Sequence, residues 1–463
     1  MALGMRASLG LTSNTQSAAR GRNAKATAGT TGVTGAGAAV AVIGAGYVGL
    51  TTAVCLAHLG HQVTCGEMDP AKVERLSRGE PTIFEEGLAT LLHDTLASGR
   101  LRFVLGAADA VAGAEFVFLC VPTPQRADGS ADVSALEAAA IEISPHLARG
   151  SVVINKSTVP VGSASSVGHW IARSDVAVVS NPEFLREGTA IDDFLHPDRV
   201  VVGADDQAAA ARVGRLYAPT GAPLIVTDAA TAETIKYACN AFLATKLSFV
   251  NAVASLCETV GADVRDVLLG MAYDHRIGFD YLRPGPGWGG SCLPKDTRAL
   301  LHIAAEAGYD FGILRSAIDA NERQLASVVE KVRAAVGGNL AGATVAVWGL
   351  TFKAGTDDRR MSPAVEITSR LVAEGARVQA YDPTVPEPTP ELPEALVVST
   401  DPYSACHDAQ VLVVLTEWDE FRWLDHAKVR EVLAEPRIVD ARNLLDPAAL
   451  RRMGFSYVGV GRV

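Results

Sequence analysis

The order of apolar and polar positions divides the chain into strand-sized runs and helix-sized periods. Residues 39–43 (AVAVI) form a continuous apolar run that leads into Gly44-Ala45-Gly46-Tyr47-Val48-Gly49. An Ala- and Leu-rich helical stretch follows, then 61–67 (HQVTCGE), a second strand that ends on an acid. Runs at 116–121 (FVFLCV), 151–154 and 176–179 are short, almost wholly apolar and separated by helical stretches. Strands of that kind are covered on both faces, as in a parallel sheet. They predict a doubly wound domain over 39–215.

The period then changes. Residues 232–260 (AETIKYACNAFLATKLSFVNAVASLCETV) keep apolar side chains at helical spacing, and Gly261 is placed to stop the helix. A helical region over 216–325 is expected, in the position of a spine or dimer contact. Strand-like runs return at 343–348 (ATVAVW), 377–381 (RVQAY) and 411–415 (VLVVL), with a helix near 363–374. This second doubly wound unit, 326–463, offers only Gly349 and Gly355 after its first strand, so its expected ligand is not a second dinucleotide. The predicted fold class is α/β, with two doubly wound Rossmann-like domains joined by a long central helix and a helical dimerisation region.

The first 38 residues are rich in Ala, Gly, Ser and Thr, with four basic residues and no acidic one. A transit peptide has this composition. So does a disordered extension, or a start placed ahead of Met5; residues 1–38 are expected to be poorly ordered.

Bulk composition narrows the class. A chain of 463 residues has room for about three domains at roughly 150 residues each. Hydrophobic residues at 48% and charged residues at 20% are those of a soluble globular protein. No run approaches ~20 consecutive apolar residues, so no membrane partner is expected. The formal charge of −11 argues against a nucleic-acid partner, although a few local Lys and Arg can still hold an anionic ligand. Seven scattered cysteines, never in a C-x-x-C pair, point to a reducing, cytoplasmic setting and away from a disulfide framework or a metal site.

The glycine motif carries the first chemistry. Gly44 allows a tight turn, Gly46 lets backbone approach a pyrophosphate, and Gly49 lets helix pack on strand. Tyr47 and Val48 open the helix whose N-terminus faces the phosphates. Glu67, 18 residues past the third glycine, would accept both ribose hydroxyls and favour NAD over NADP. Asp69 competes for that role, and Lys72 either contacts the same ribose or is a solvated helix lysine.

The second chemistry is Cys292, in GGSCLPKD (289–296). Ser291 is a natural N-cap and Pro294 is tolerated in a first helical turn. A helix starting there would lower the thiol pKa of Cys292, with Asp296 one turn on as base or water-holding group. A buried structural cysteine beside a capping sequence reads the same way. With a hydride acceptor in the same chain, a thiol can capture an aldehyde as a thiohemiacetal, and a second hydride transfer makes a thioester. Lys236 and Asn240, spaced i, i+4, share a helix face and could stabilise an alkoxide or oxyanion. A lysine in so apolar a helix is costly unless it meets an anion, loses its charge or snorkels outward.

Eleven segments carry a resemblance: IGAGYVGL (43–50), VPTP (121–124), NKSTVPVGS (155–163), SNPEFLREGTA (180–190), DRVVVG (198–203), IKYACNAFLATK (235–246), DHRIG (274–278), GWGGSCLPKD (287–296), GLTFKAGTDD (349–358), YDP (381–383) and TEWDEF (416–421). With them the chain resembles the UDP-glucose/GDP-mannose dehydrogenase family from about residue 39 onward. The resemblance implies an NAD domain, a central dimerisation region, a nucleotide-sugar domain and a homodimer or higher oligomer. It implies NAD-dependent four-electron oxidation of UDP-glucose to UDP-glucuronate. By position, Cys292 is then the nucleophile, Lys236 and Asn240 bind the sugar and stabilise its C6 oxygen, and Asp296 assists through water. Glu183 is the implied partner in thioester hydrolysis, and Phe184, Leu185 and Arg186 line the substrate. Glu187 lies beside the nicotinamide end and the sugar.

Thr123, counted with the catalytic residues, and Thr158 would touch NAD, as would Lys295 and Arg360. Tyr281, Leu282, Arg283, Pro284, Gly285 and Gly289 would line the substrate, with Lys353 and, more weakly, Arg442 reaching it from the C-terminal domain. Arg276 resembles an arginine that crosses a dimer interface. No metal ligand is implied. Departures from the family pattern are Glu67 for aspartate, Thr82 and Glu86 for prolines in a loop expected to be remote from the chemistry, and Met361 for glutamate. GDP-mannose or another UDP-hexose is the alternative substrate, although TEWDEF and DHRIG favour UDP-glucose. A β-hydroxyacid dehydrogenase would lack the GGSC segment and the third domain. A non-catalytic nucleotide-sugar binder would have no use for Cys292, Lys236, Asn240 and Asp296 together.

Overall fold

A computed structural model describes residues 37–462; the expected extension 1–38 lies outside them except for its last two residues. The first sheet contains β1 (Ala39–Ile43), β2 (Gln62–Glu67), β3 (Leu101–Leu105), β4 (Phe116–Leu119), β5 (Val152–Asn155), β6 (Ala177–Ser180), β7 (Val200–Gly203) and β8 (Leu224–Thr227). Their spatial order is β3-β2-β1-β4-β5-β6-β7-β8. β1 to β6 are parallel; β7 meets β6 antiparallel, at Ser180 and Gly203, and β8 runs parallel to β7. The order reverses between β1 and β4, so a crevice opens beyond their carboxyl ends, which is where such sheets bind ligands. Val42, Leu50 and Val54 pack in the core on one face, and Ala41, Val117 and Leu136 on the other.

The sheet runs past residue 215, the border drawn from sequence. β8 is an edge strand whose Leu224, Ile225 and Val226 are exposed, so it lacks the buried run that marks β4 or β5.

The central helix (Ala229–Val260) has 32 residues and so spans about 48 Å. Asp228 caps it by accepting from Thr231 N at 2.8 Å, and Gly261 ends it in the left-handed conformation, φ 74°. Its most apolar stretch has a mean hydropathy of 1.2, enough in length and composition for a membrane span. In the fold its buried face instead carries Glu233, Lys236, Asn240, Ser248 and Asn251, each with a protein partner. Its other face leaves Phe242, Phe249 and Leu256 exposed at heptad spacing.

The helix Gly312–Ala335 packs beside it and crosses the border placed at 325. Its Leu325, Val328 and Val332 share one core with Val250 and Ala254 of the central helix and with the second sheet. That sheet contains β9 (Thr344–Trp348), β10 (Arg377–Tyr381), β11 (Leu396–Val398), β12 (Val411–Val414), β13 (Arg437–Asp440) and β14 (Ser456–Gly459). It is parallel throughout, in the order β11-β10-β9-β12-β13-β14, with its own reversal between β9 and β12.

Candidate active site

The glycine turn leaves β1 at the first reversal. A Cβ on Gly49 would lie 1.9 Å from the Gly44 carbonyl oxygen, so only glycine lets the helix Tyr47–His58 sit this close to the strand. A Cβ on Gly46 would meet nothing within 4 Å; that open face lets a pyrophosphate approach the free amides of Tyr47 and Val48. The Glu67 carboxylate is held beside the turn by Ala45 N at 3.0 Å, Met68 N at 2.8 Å and Asp69 N at 3.1 Å. Asp69 is engaged elsewhere: it caps the helix Pro70–Ser77 through Ala71 N and Lys72 N. Of the two acids, Glu67 is the one held against the glycine turn, and Lys72 is half-buried on the first turn of that capped helix. Thr123 Oγ1 donates to Thr158 O at 2.8 Å and joins the loops that leave β4 and β5. An open helix N-terminus with a fixed carboxylate beside it fits a dinucleotide.

Cys292 lies at the start of the helix Leu293–Glu306, and two expectations about it need correction. Cys292 itself occupies the N-cap position, while Ser291 Oγ turns away to donate to Glu187 Oε1 at 2.8 Å. Nor is the thiol pKa lowered. Burial pushes Cys292 up to about 11; Lys236 pulls it down while Glu183 and Asp296 push it higher. Desolvation outweighs the pull of the Lys236 charge. All seven cysteines are free, and Cys292 is one of two that are only half-buried.

Lys236 does meet an anion. Its Nζ lies 2.8 Å from Glu183 Oε1, with both side chains buried. Burial works against its charge, but Glu183, Cys292 and Asp296 hold the ammonium above its ordinary value. Burial likewise opposes the Glu183 carboxylate, and Lys236, the Leu185 amide at 2.6 Å and Lys156 together bring its pKa below the usual range. One turn along, Asn240 Nδ2 donates to Asp296 Oδ2 at 2.5 Å. Lys295, expected beside the cofactor, pairs with Asp296 Oδ1 at 2.6 Å, because it is adjacent in the first helical turn.

The segment 183–190 touches the central helix through Glu183 and the C-terminal loops through Glu187 and Gly188. Phe184 lies under the Arg199 guanidinium, 3.6 Å from ring centroid to Cζ, with Lys236 Nζ at 5.6 Å. Arg186 pairs with Asp193 at 2.5 Å. Burial and the neighbouring Asp358 carboxylate raise Glu187 to about 7, against the Ser291 hydroxyl and Arg360. Arg360, also expected at the cofactor, pairs with Asp358 at 2.7 Å and reaches Glu187 at 3.4 Å, so it bridges the two sheets' loops. Met361 takes a positive φ of 48°, and its carbonyl oxygen would be 2.1 Å from a Cβ on Gly289, which locks the cysteine loop against the C-terminal domain.

The loop 82–86 is not remote from the chemistry. Buried Glu85 contacts the Tyr47 hydroxyl and accepts from Gly188 N at 2.8 Å and Ala190 N at 2.7 Å. The fold brings it there because Leu88 and Leu92 of the following helix anchor in the first core.

In the segment expected to line the substrate, Tyr281 has a positive φ of 58° and Leu282 is buried, while Arg283 is exposed and Pro284 half-buried. Gly285 is tied by its N–H to Asn251 Oδ1 at 2.9 Å and by its carbonyl to Gln324 Nε2 at 2.7 Å. Arg442 packs against Gly285 and donates to the carbonyls of Leu415 at 2.7 Å and Phe352 at 2.8 Å. Lys353 is half-buried nearby, its pKa lowered by burial against the charges of Glu187 and Glu417. Arg276 does not join the site of its own chain: it pairs with Asp274 at 2.6 Å on the surface, with its side chain 78% exposed.

Sequence reasoning missed Glu85, Lys156, Arg199, Glu233, Asn251 and Gln324. Glu233 was the most findable, being three residues before Lys236 on the same helix face. Its carboxylate accepts from Gly162 N at 2.6 Å, Ala164 N at 2.9 Å and Ser180 Oγ at 2.8 Å, and so pins the Thr158 loop to the central helix.

Comparison with known proteins gives one consistent result. Residues 38–221 match the NAD binding domain of the UDP-glucose/GDP-mannose dehydrogenase family, 230–323 its central domain and 346–447 its UDP binding domain. The UDP-glucose 6-dehydrogenase of Rhizobium meliloti (strain 1021) is 45% identical over 433 residues, 91% of this chain and 99% of that protein. A UDP-glucose dehydrogenase from the archaeon Pyrobaculum islandicum superposes with a TM-score of 0.85 at 36% identity, covering 93% of this chain and 99% of that one. A UDP-D-ManNAc dehydrogenase from Pyrococcus horikoshii gives 0.81 at 28% identity, covering 91% and 99%.

Proposed function

The chain belongs to the UDP-glucose/GDP-mannose dehydrogenase family, and from that premise we propose that it oxidises the C6 alcohol of UDP-glucose to the carboxylate of UDP-glucuronate. The observation that carries this reading is the surroundings of Cys292: a half-buried thiol under the charges of Lys236, Glu183 and Asp296. NAD, when bound, would accept the hydride of each of two oxidations, so that UDP-glucose, two NAD+ and one water give UDP-glucuronate, two NADH and three protons. Gly44, Gly46 and Gly49 with the Tyr47 and Val48 amides would hold its pyrophosphate, Glu67 its ribose, and Thr123 and Thr158 its nicotinamide side.

The remaining steps belong to this chain's side chains. Lys236 and Asn240 stabilise negative charge at the C6 oxygen of the alkoxide and of each tetrahedral species. Cys292 sulfur attacks the C6 aldehyde, its proton leaving through the Asp296 side, to form a thiohemiacetal. Loss of the second hydride converts this to a thioester. Glu183, a carboxylate at neutral pH, takes a proton from the attacking water, and the Cys292 sulfur leaves as thiolate and regains its proton from the Asp296 side. Tyr281, Leu282, Arg283, Pro284, Gly285, Gly289, Lys353 and Arg442 line the UDP side, while Phe184, Leu185, Arg186 and Glu187 face the sugar. A homodimer completes the reading. The exposed Phe242, Phe249 and Leu256 form an apolar stripe of the kind that marks a protein interface, and the exposed Arg276 would exchange its Asp274 partner for a partner subunit's substrate. Sedimentation at micromolar concentration reads that state.

Product analysis tests the substrate. Given NAD and UDP-glucose, GDP-mannose or UDP-N-acetylmannosamine separately, the protein should release UDP-glucuronate and turn over the other two at least ~100-fold more slowly. Faster turnover of either alternative would reassign the substrate.

A further inference from the structure

Lys156 is a buried cation that the steps above leave unused. It follows β5 and is 4% exposed. Its Nζ lies 3.3 Å from Asn181 Oδ1 and 3.5 Å from the Tyr217 hydroxyl, and that hydroxyl donates to the same Asn181 oxygen at 2.6 Å. Both partners are neutral, and the aromatic rings of Phe194 and Tyr217 lie 6.0 and 5.8 Å away. A buried lysine without a carboxylate at hydrogen-bond distance is costly, because no counter-charge replaces its lost hydration. Asn181 is itself tightly held: its N–H donates to Asn155 O at 2.9 Å and its Nδ2 to Val201 O at 2.8 Å, tying β5, β6 and β7 together at the end of the sheet. The next two residues are Pro182 and Glu183.

We propose that Lys156 is a positioning residue for the oxidation: its buried ammonium clamps Asn181, fixes the Asn181-Pro182-Glu183 turn, and keeps Glu183 a carboxylate beside Lys236. Four titratable groups face it from the elements packed around it. Cys120 at the end of β4 is pushed up to about 12 by burial and is neutral. Tyr217, at the end of the helix Gln207–Leu216, is also raised by burial and neutral. Lys236 on the central helix is a cation, and Glu183 is the one anion. Burial lowers Lys156 to about 8, while the Glu183 carboxylate acts to keep it charged, so it is cationic at neutral pH. Glu183 therefore feels two lysines, one in direct contact and one behind the turn. Removing the second cation raises the Glu183 pKa.

The inference rests on Glu183 acting as a base in thioester hydrolysis. Its test is the pH profile of steady-state turnover in wild type, Lys156→Met, Lys156→Gln and Lys156→Arg, with thermal unfolding of each as a control on folding. Lys156→Met removes the charge, Lys156→Gln keeps a donor toward Asn181 without it, and Lys156→Arg keeps it. The acid limb should move up by roughly one pH unit in the Met and Gln variants and stay near the wild-type position in the Arg variant. An unmoved acid limb in folded Met and Gln variants overturns the proposal, as does an Arg variant that shifts as far as Met. NADH counted per UDP-glucose in wild type separates the two layers. Two NADH with an unmoved limb defeats the role of Lys156 alone, whereas one NADH removes the hydrolysis step and the proposal with it.

Discussion

Lys236 Nζ and Glu183 Oε1 meet at 2.8 Å, with side chains only 4% and 5% exposed, and so join the central helix to the turn after β6. Burial opposes the charge of both, and each is the other's chief counter-charge. The pair sets two electrostatic conditions of the site. It puts a fixed cation beside the Cys292 thiol and a fixed carboxylate where the proposed thioester hydrolysis needs a base.

Breaking the pair from either side leaves a buried charge uncompensated. Lys236→Met and Glu183→Leu should each lose about 3–5 kcal/mol of stability, while the double variant recovers most of the loss. Turnover should stay abolished in all three. Urea unfolding with a turnover assay checks both halves; a double variant no more stable than the singles would contradict the pairing.

The raised Cys292 pKa fixes how the free thiol reacts. Alkylation by neutral iodoacetamide should quicken about tenfold per pH unit from neutrality toward about 11, and Lys236→Met should slow it at every pH by removing the neighbouring cation. A plateau near pH 8 would mean that the thiol is activated in the resting enzyme.

Glu85 should behave as part of the site despite its distance in sequence. Glu85→Ala leaves the Gly188 and Ala190 amides without their acceptor, at about 1–3 kcal/mol each. Because those amides hold the 183–190 segment, turnover should fall about tenfold or more, with a raised KM for NAD. Unchanged kinetics would return the loop to a purely structural role.

Glu187 makes stability depend on pH in a definite direction. Its carboxyl is raised to about 7 from an ordinary 4.5, chiefly by burial, so the folded state favours the protonated form. That contribution is complete below the ordinary value and is lost as pH rises through the raised one. Glu187→Gln, neutral throughout, should therefore gain Tm relative to wild type on going from about pH 5 to about pH 8. A Tm difference independent of pH would contradict this.

How much of this was legible in the sequence follows from how local each signal is. The glycine turn, the strand that feeds it and the acid at the end of β2 lie within one short stretch, and their spacing dictates their geometry. Lys236 and Asn240 are one turn apart, so their shared face could be read directly. Glu85, Lys156 and Glu233 act on partners 25 to 105 residues away, and only the folded sheet order brings them to the site. The raised Cys292 pKa escapes sequence reading for a related reason: a helix start is visible in sequence, whereas burial is not. β8 escaped notice because its apolar residues face outward at the edge of the sheet.

The central claim is that one site carries an alcohol through to an acid with Cys292 holding the intermediate. The most direct measurement is NADH formed per UDP-glucose consumed at completion, with excess NAD. The account predicts a ratio of about two, since both hydride transfers precede release. A ratio of about one, with aldehyde in solution, would contradict it.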